Sequence, residues 1–325
     1  MDLFLQQLVS GIASGSLFSI LALAIVLIYR STGVLNFAQG QMAMFTTFIT
    51  WSALATAMGF WPAFFLTLLA AAAMGAAVER LIVRRVEATS DLNTLIVALG
   101  LFLVFDGLAL YIWGPLPRGF GPFSIFSGAP SCVGEVCIGR LSLGILVVAV
   151  IIMALLFVLF QRPRFGLAMR GTVQNRVAAA IKTALLFLLL QRTRFGLAMR
   201  ATAQNRVGSR LVGIPVGRML STGWGLAAVV GAVAGMLVAQ ILGLDSNTMF
   251  SVLLFALAAV VLGGLDSPAG AMVGGLAIGV VKNLAGTYIP SSVGSVDLTV
   301  AFVLIVLVLM VRPTGLFGRP LHRRV

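Results

Sequence analysis

The chain has 325 residues, of which 60% are hydrophobic and 10% charged, with a net charge of +13 and a mean hydropathy of +1.10. Soluble domains carry about 25% charged residues, so an ordinary water-soluble fold is excluded. Nor does the positive balance point to nucleic acid, because 11 of the 22 Lys and Arg residues lie between Arg162 and Arg218, and Arg312, Arg319, Arg323 and Arg324 crowd the C-terminal end. Basic loops between apolar runs stay on the cytoplasmic side during insertion and meet anionic head groups, so membrane lipids are the expected surface partners.

Residues 31–78 contain no charged side chain, and further charge-free runs occupy 92–105, 141–161, 219–244, 246–265, 267–281, 283–296 and 298–311. A hydrocarbon core of roughly 30 Å needs about 20 apolar residues per helix and makes buried charge expensive. The pattern predicts an all-α polytopic membrane protein, a single transmembrane domain over 1–325. Spans are expected near 5–29, 37–57, 61–79, 93–113, 141–160, 220–242, 247–264, 268–286 and 298–311. The first run follows Asp2 without a basic leader and continues to Tyr29, so it reads as a transmembrane helix and not as a cleavable signal. Nine spans with a cytoplasmic C-terminus put the N-terminus outside. Arg30, the Arg80–Arg85 cluster and the 161–218 loop then lie inside, and Arg118 and Arg140 outside. An eight-span count, with 37–57 dipping in and returning, competes with it.

Glycine contributes 36 residues, including G-x-x-x-G pairs at Gly11/Gly15 and Gly270/Gly274, with Gly275 beside the second and Gly263 and Gly264 ending the preceding span. Such spacings let helix backbones approach closely, or line a path; packing is the plainer reading. Cys132 and Cys137, in SCVGEVCIGR, fall in an external loop where a disulfide is permitted. Two thiols fall short of a structural metal site, His322 is isolated in the tail, and no phosphate-binding loop or catalytic constellation is present in the sequence.

The basic loop contains a tandem duplication. LLFVLFQRPRFGLAMRGTVQNRV at 155–177 returns as LLFLLLQRTRFGLAMRATAQNRV at 185–207, an offset of 30 residues. The apolar stretch before the second QRTR, Ala178–Leu190, includes Lys182 and reaches only about 20 Å as a helix, so it reads as interfacial or packed against protein. After it, Arg194, Arg200, Arg206 and Arg210 alternate with Phe195, Leu197, Met199, Val207, Leu211 and Ile214. Such an amphipathic segment lies on a membrane or docks into a cytoplasmic protein, and periodicity does not choose.

The motifs taken together resemble the permease subunits of branched-chain amino acid ABC importers, the LivH-like half. They are GIASGSLFSILALAIVLIYRSTGVLNFAQGQM at 11–42, RTRFGLAMRATAQNRVGSRLVGI at 192–214, LGGLDSPAGAMVGGLAIGVV at 262–281 and VRPTGLFGRP at 311–320. The resemblance implies a permease bundle of about 8–9 transmembrane helices in a bacterial inner membrane. It also implies a second, LivM-like permease, two cytoplasmic ATPase subunits and an external substrate-binding protein. ATP and Mg would be bound by the ATPases, with no cofactor on this chain and no enzymatic activity of its own. The substrates implied are branched-chain or related small amino acids.

Under that resemblance, Arg200, Asn205, Arg206, Arg210, Leu211, Gly213 and Ile214 of the second copy make up the expected coupling helix, since only this copy runs on into the next span. The first copy reads as a spacer, an extra contact or an insertion that harms assembly. The loop departs from the family pattern in NRVGSRLVGI, with Gly208 and Ser209 in place of an acidic or alanine-rich stretch. Asn36 is placed to cap the second helix or take part in gating, beside Gly40; Gln39 and Gln41 line an inner mouth or pack between helices. Arg30 anchors the first helix to head groups or meets an ATPase. Asp106, within the fourth span, reads as a buried polar contact, a solvated position or a receptor for a substrate ammonium. A secondary transporter and a non-transporting scaffold are the alternative functions.

Overall fold

A computed structural model describes residues 2–86, 91–120, 128–129, 131–133, 136–160, 215–289, 296–312 and 314–318. Among the described residues the fold is all-α apart from one small hairpin. Among the described residues nine main helices follow in order: α1 Asp2–Thr32, α2 Gln39–Ala55, α3 Phe60–Val78, α4 Asp91–Trp113, α5 Arg140–Phe160, α6 Val216–Leu242, α7 Thr248–Gly263, α8 Pro268–Tyr288 and α9 Val296–Val311. A π-helical turn, Glu79–Val83, and one further turn, Arg84–Val86, prolong α3. Five helical segments are long and apolar enough to cross a membrane, namely Leu3–Arg30, Phe60–Val86, Leu92–Trp113, Val216–Leu242 and Pro268–Tyr288. Shorter apolar helices cover Arg140–Leu156, Thr248–Gly263 and Thr299–Val311. The molecule is a polytopic helical bundle.

The hairpin, Ser131–Val133 with Val136–Ile138, was not expected from a chain this apolar. It pairs antiparallel with Cys132 directly opposite Cys137. Nearby, Arg118 and Leu244 exchange backbone hydrogen bonds of 2.8 and 2.9 Å, fastening the segment after α4 to the segment after α6.

The centre is α1. Residues Ile20 to Ile28 are almost wholly buried, so an apolar helix that would ordinarily face lipid is enclosed by other helices. Its closest partner is α8, which runs antiparallel to it. A Cβ placed on Gly11 would lie 2.7 Å from the Val280 Cα, and one on Gly15 the same distance from the Leu276 Cα. From the other side, a Cβ on Gly275 would strike Ser19, and one on Gly279 would strike the Gly15 backbone. Four-residue spacing puts Gly11, Gly15 and Ser19 on one stripe of α1 and Gly275 and Gly279 on one stripe of α8, so the two backbones touch. The Ser19 hydroxyl donates across the seam to the Met272 carbonyl at 2.9 Å. The α7–α8 hairpin closes likewise, with Gly263 and Gly270 in backbone contact, Gly264 at φ +104° and Ser267 capping α8 by accepting from the Gly270 N–H at 3.0 Å.

The second helix starts deep inside the bundle. Gln39, in its first turn, donates to the Ala227 carbonyl at 3.0 Å. Ala227 is eleven residues beyond the start of α6 at Val216, about 17 Å along that helix. Gly40, meanwhile, packs on Met249 and Leu253 in the first turns of α7. Segment 33–38 between α1 and α2 is non-helical and largely enclosed, with Asn36 and Ala38 buried. Irregular backbone is tolerated at membrane depth only where protein or a water-filled cavity receives its polar groups. Here protein receives it: the Ala38 N–H is accepted by the Asn36 side chain at 3.1 Å and the Gln39 N–H by the Asn36 carbonyl at 3.3 Å.

The α1–α8 seam gives a direct test. Gly15→Ala is expected to lower stability by about 2 kcal/mol through backbone overpacking. Gly107→Ala on α4 meets nothing within 4 Å and is expected to be neutral or stabilising by up to about 1 kcal/mol. Thermal unfolding of the purified full-length variants in detergent reads both, and equal melting temperatures for the two would contradict the seam.

Candidate functional site

Two polar constellations stand out among the described residues. The first gathers at the start of α2. Gln41 is 1% exposed and its amide nitrogen donates to Asp106 Oδ1 on α4 at 2.9 Å and to the Ser246 carbonyl, just before α7, at 3.3 Å. Three elements distant in sequence therefore converge on one carboxamide. Its Oε1 is buried without a hydrogen-bond partner. The orientation of the amide is fixed by chemistry, since only its NH2 end can satisfy two acceptors. Asp106 is half-buried, at the edge of α4, and among the described residues no Lys or Arg forms an ion pair with it. One turn away along α4, Phe102 meets Phe250 of α7 edge-on with ring centroids 5.6 Å apart. One turn along α2, Phe45 meets Phe105 at 5.5 Å and Trp113 at 5.3 Å. The polar cluster is thus bordered by aromatic walls.

Asn36 is buried and helps order this region, but the residue at the N-cap of α2 is Ala38, which makes no side-chain cap. The Asn36 amide instead approaches Gln39 Oε1 at 3.5 Å and the Met42 sulfur at 3.8 Å. Gly40 leaves room for Leu253, whose Cβ would lie 3.0 Å from an added methyl. Arg30 is exposed in the last turn of α1. Farther along α2 and α3, Thr50 and Thr67 share a buried hydroxyl contact of 2.8 Å.

The second constellation joins the end of α3 to the start of α6. Glu79, wholly buried in the π turn, accepts from Arg84 Nε at 2.9 Å and Nη2 at 2.6 Å. Arg84 Nη2 also donates to the Gly217 carbonyl at 2.5 Å and the Ser221 hydroxyl at 2.8 Å, while Ser221 donates to Glu79 Oε2. A buried carboxylate is tolerable at this depth because a guanidinium and a hydroxyl both satisfy it. The sequence reading grouped Arg84 with its basic neighbours and missed Glu79. An acid opening an apolar-basic run was the available signal.

Cys132 and Cys137 occupy opposed backbone positions in the hairpin. Arg200, Asn205, Arg206, Arg210, Leu211, Gly213 and Ile214, together with both copies of the duplication beyond Phe160, lie outside the described residues. Between α3, α5 and α6 there is a cavity of about 210 Å³ with apolar walls and Gln240 as its polar residue. It offers no counter-charge to an ionic ligand.

A family profile described as "Branched-chain amino acid transport system / permease component" matches residues 7–182 and 176–311. The two matches meet inside the duplicated segment. The permease protein LivH of the high-affinity branched-chain amino acid transport system of Salmonella typhimurium strain LT2 is 29% identical over 331 residues, covering 98% of this chain and 96% of the relative. LivH of Escherichia coli K12 is 28% identical over the same span, and the corresponding BraD of Pseudomonas aeruginosa PAO1 is 29% identical over 330 residues, at the same shares of coverage. PsaBC from Streptococcus pneumoniae in complex with Fab aligns with a TM-score of 0.46 at 13% identity, over 96% of this chain and 92% of that one.

The Glu79 network makes a measurable prediction. Glu79→Gln should cost on the order of 2–3 kcal/mol, because it leaves the Arg84 guanidinium without its counter-charge. Ser221→Ala should cost about 1 kcal/mol. Thermal melting of the full-length variants checks the order, and a Glu79→Gln protein as stable as the parent would show that the network is not needed to hold the bundle.

Proposed function

The chain belongs to the branched-chain amino acid transport permease family, and from that premise we propose that it forms part of the transmembrane pathway of an ATP-driven importer of branched-chain or related small amino acids. The observation that carries this is the match along nearly the whole chain, 98% of it against LivH relatives of similar length. It is a membrane-embedded transport subunit, not an enzyme. The assembly we infer contains a second permease, two cytoplasmic ATPases that bind ATP and Mg, and an external binding protein, in a bacterial inner membrane.

In this reading the segment from Arg192 to Ile214, which starts in the second copy of the duplication and continues past it, supplies the coupling helix. Its position in the chain supports this, because Pro215 alone separates Ile214 from α6. The first turns of α6 are tied through Arg84 to Glu79. A displacement of the coupling segment would therefore be passed to α3 and α6 together. Two packed helices moving as one unit shift an inward-facing against an outward-facing equilibrium more effectively than a single tethered end. Cys132 and Cys137, opposed on the hairpin, are proposed to form a disulfide on the external side.

Reconstitution tests the proposal. Leucine uptake into proteoliposomes should require ATP, both ATPases, the second permease and the binding protein, and uptake by this subunit alone would reject it. In the same assembly, replacing Leu211 and Ile214 with Glu should release the ATPases or uncouple hydrolysis from uptake. Equivalent changes at Ala179 and Ile181, in the stretch between the copies, should leave ATPase co-purification intact.

A further inference from the structure

The cluster at Gln41 has too many acceptors. The Asp106 carboxylate, the Ser246 carbonyl and Gln41 Oε1 come together on one buried amide, and among the described residues the hydrogen bonds given to the first two come from the NH2 group of that same amide. Once these are spent, Oε1 is left unpartnered in a side chain that is 1% exposed. A buried acceptor without a donor and an embedded carboxylate without a counter-ion are both costly, and both are relieved by the same kind of group. That group is a small cation with several N–H donors.

The surroundings narrow its chemistry. Asp106 is half-buried at the edge of α4, so the carboxylate is reachable from outside the α2–α4 contact. Four residues before it, Phe102 pairs with Phe250, which in turn lies four residues after Ser246. An acceptor cluster beside exposed aromatic edge suits a ligand with an ammonium at one end and a hydrocarbon group beside it, and suits a hydrated inorganic cation poorly. α2 and α7 both begin here, inside the bundle, so the cluster is placed where helix ends and not helix middles meet.

Resting on the importer reading above, we propose that Gln41 and Asp106, with the Ser246 carbonyl, form a transport-pathway subsite that receives the primary ammonium of the amino-acid substrate, with Phe102 and Phe250 against its aliphatic side chain. Gln41 has two parts in this: its NH2 orients Asp106, and its carbonyl accepts from the ammonium.

Asp106→Asn separates recognition from architecture, because the new amide oxygen still accepts from Gln41 while the charge is gone. In proteoliposomes containing the complete importer, leucine uptake by Asp106→Asn should fall about tenfold or more. Co-purification of the ATPases and the second permease should stay near the parent level, which reads assembly apart from recognition. Asp106→Glu, which restores the charge, should recover part of the uptake. Uptake by Asp106→Asn at the parent rate overturns the subsite, and so does failure of that variant to assemble, which would make the carboxylate structural. A parent protein that shows no ATP-dependent uptake in the same experiment would instead overturn the importer reading itself.

Discussion

The rest of the bundle depends on how close α1 comes to α8. In water, burying apolar area drives helices together; between lipid tails that drive is absent, and close van der Waals contact takes its place. Gly11 and Gly15 facing Gly275 and Gly279 let the two backbones meet along more than one turn. With α8 seated in this way, α7 follows through the Gly263–Gly270 contact, and α1 is left with its remaining faces turned to α5, α6 and α7. The same device recurs where Gly75 on α3 meets Trp224 and Ala228 on α6. Small residues are spent where helices cross, and large apolar ones, such as Leu103, Tyr111, Val306 and Met310, face outward from α4 and α9.

Polar groups are distributed by a different rule. Inside the bundle many hydroxyls take a carbonyl of their own helix, as Ser16, Thr46 and Thr47 do, while Ser19, Thr50 and Ser221 also reach a neighbouring helix. Carboxamides and carboxylates cannot be satisfied so locally. Gln39, Gln41, Glu79 and Asp106 therefore reach across between helices, and they fix which helix lies beside which.

Charge-free runs were enough to find the helices, because exclusion of charge by hydrocarbon acts on each segment by itself. The packing role of Gly11 and Gly15 was legible for the same reason, since the four-residue stripe is written in local spacing. The depth of α2 was not. Its start follows from Gln39 meeting Ala227, 188 residues away, and no local pattern records that pairing. Asn36 looked like a helix cap because a polar residue before an apolar run often is one; in the fold it braces the preceding non-helical turn. Glu79 and Arg84 were illegible as a pair because five residues on an α-helix advance by about 500°, to a different face. The π turn brings them onto one side.

The early start of α2 has a consequence for how the protein is made. Gln39 and Gln41 enter the membrane with the first part of the chain, but their partners at Ala227 and Ser246 are synthesised 188 and 205 residues later. At roughly 5–20 residues per second, the wait is on the order of 10–40 s. During that interval the Gln39 amide lacks its acceptor on α6, and the Gln41 amide has Asp106 without the Ser246 carbonyl. The native set of bonds around the start of α2 is complete only once α6 and the start of α7 have emerged. A helix that begins in the middle of its own protein is among the first to be made and among the last to find all of its partners.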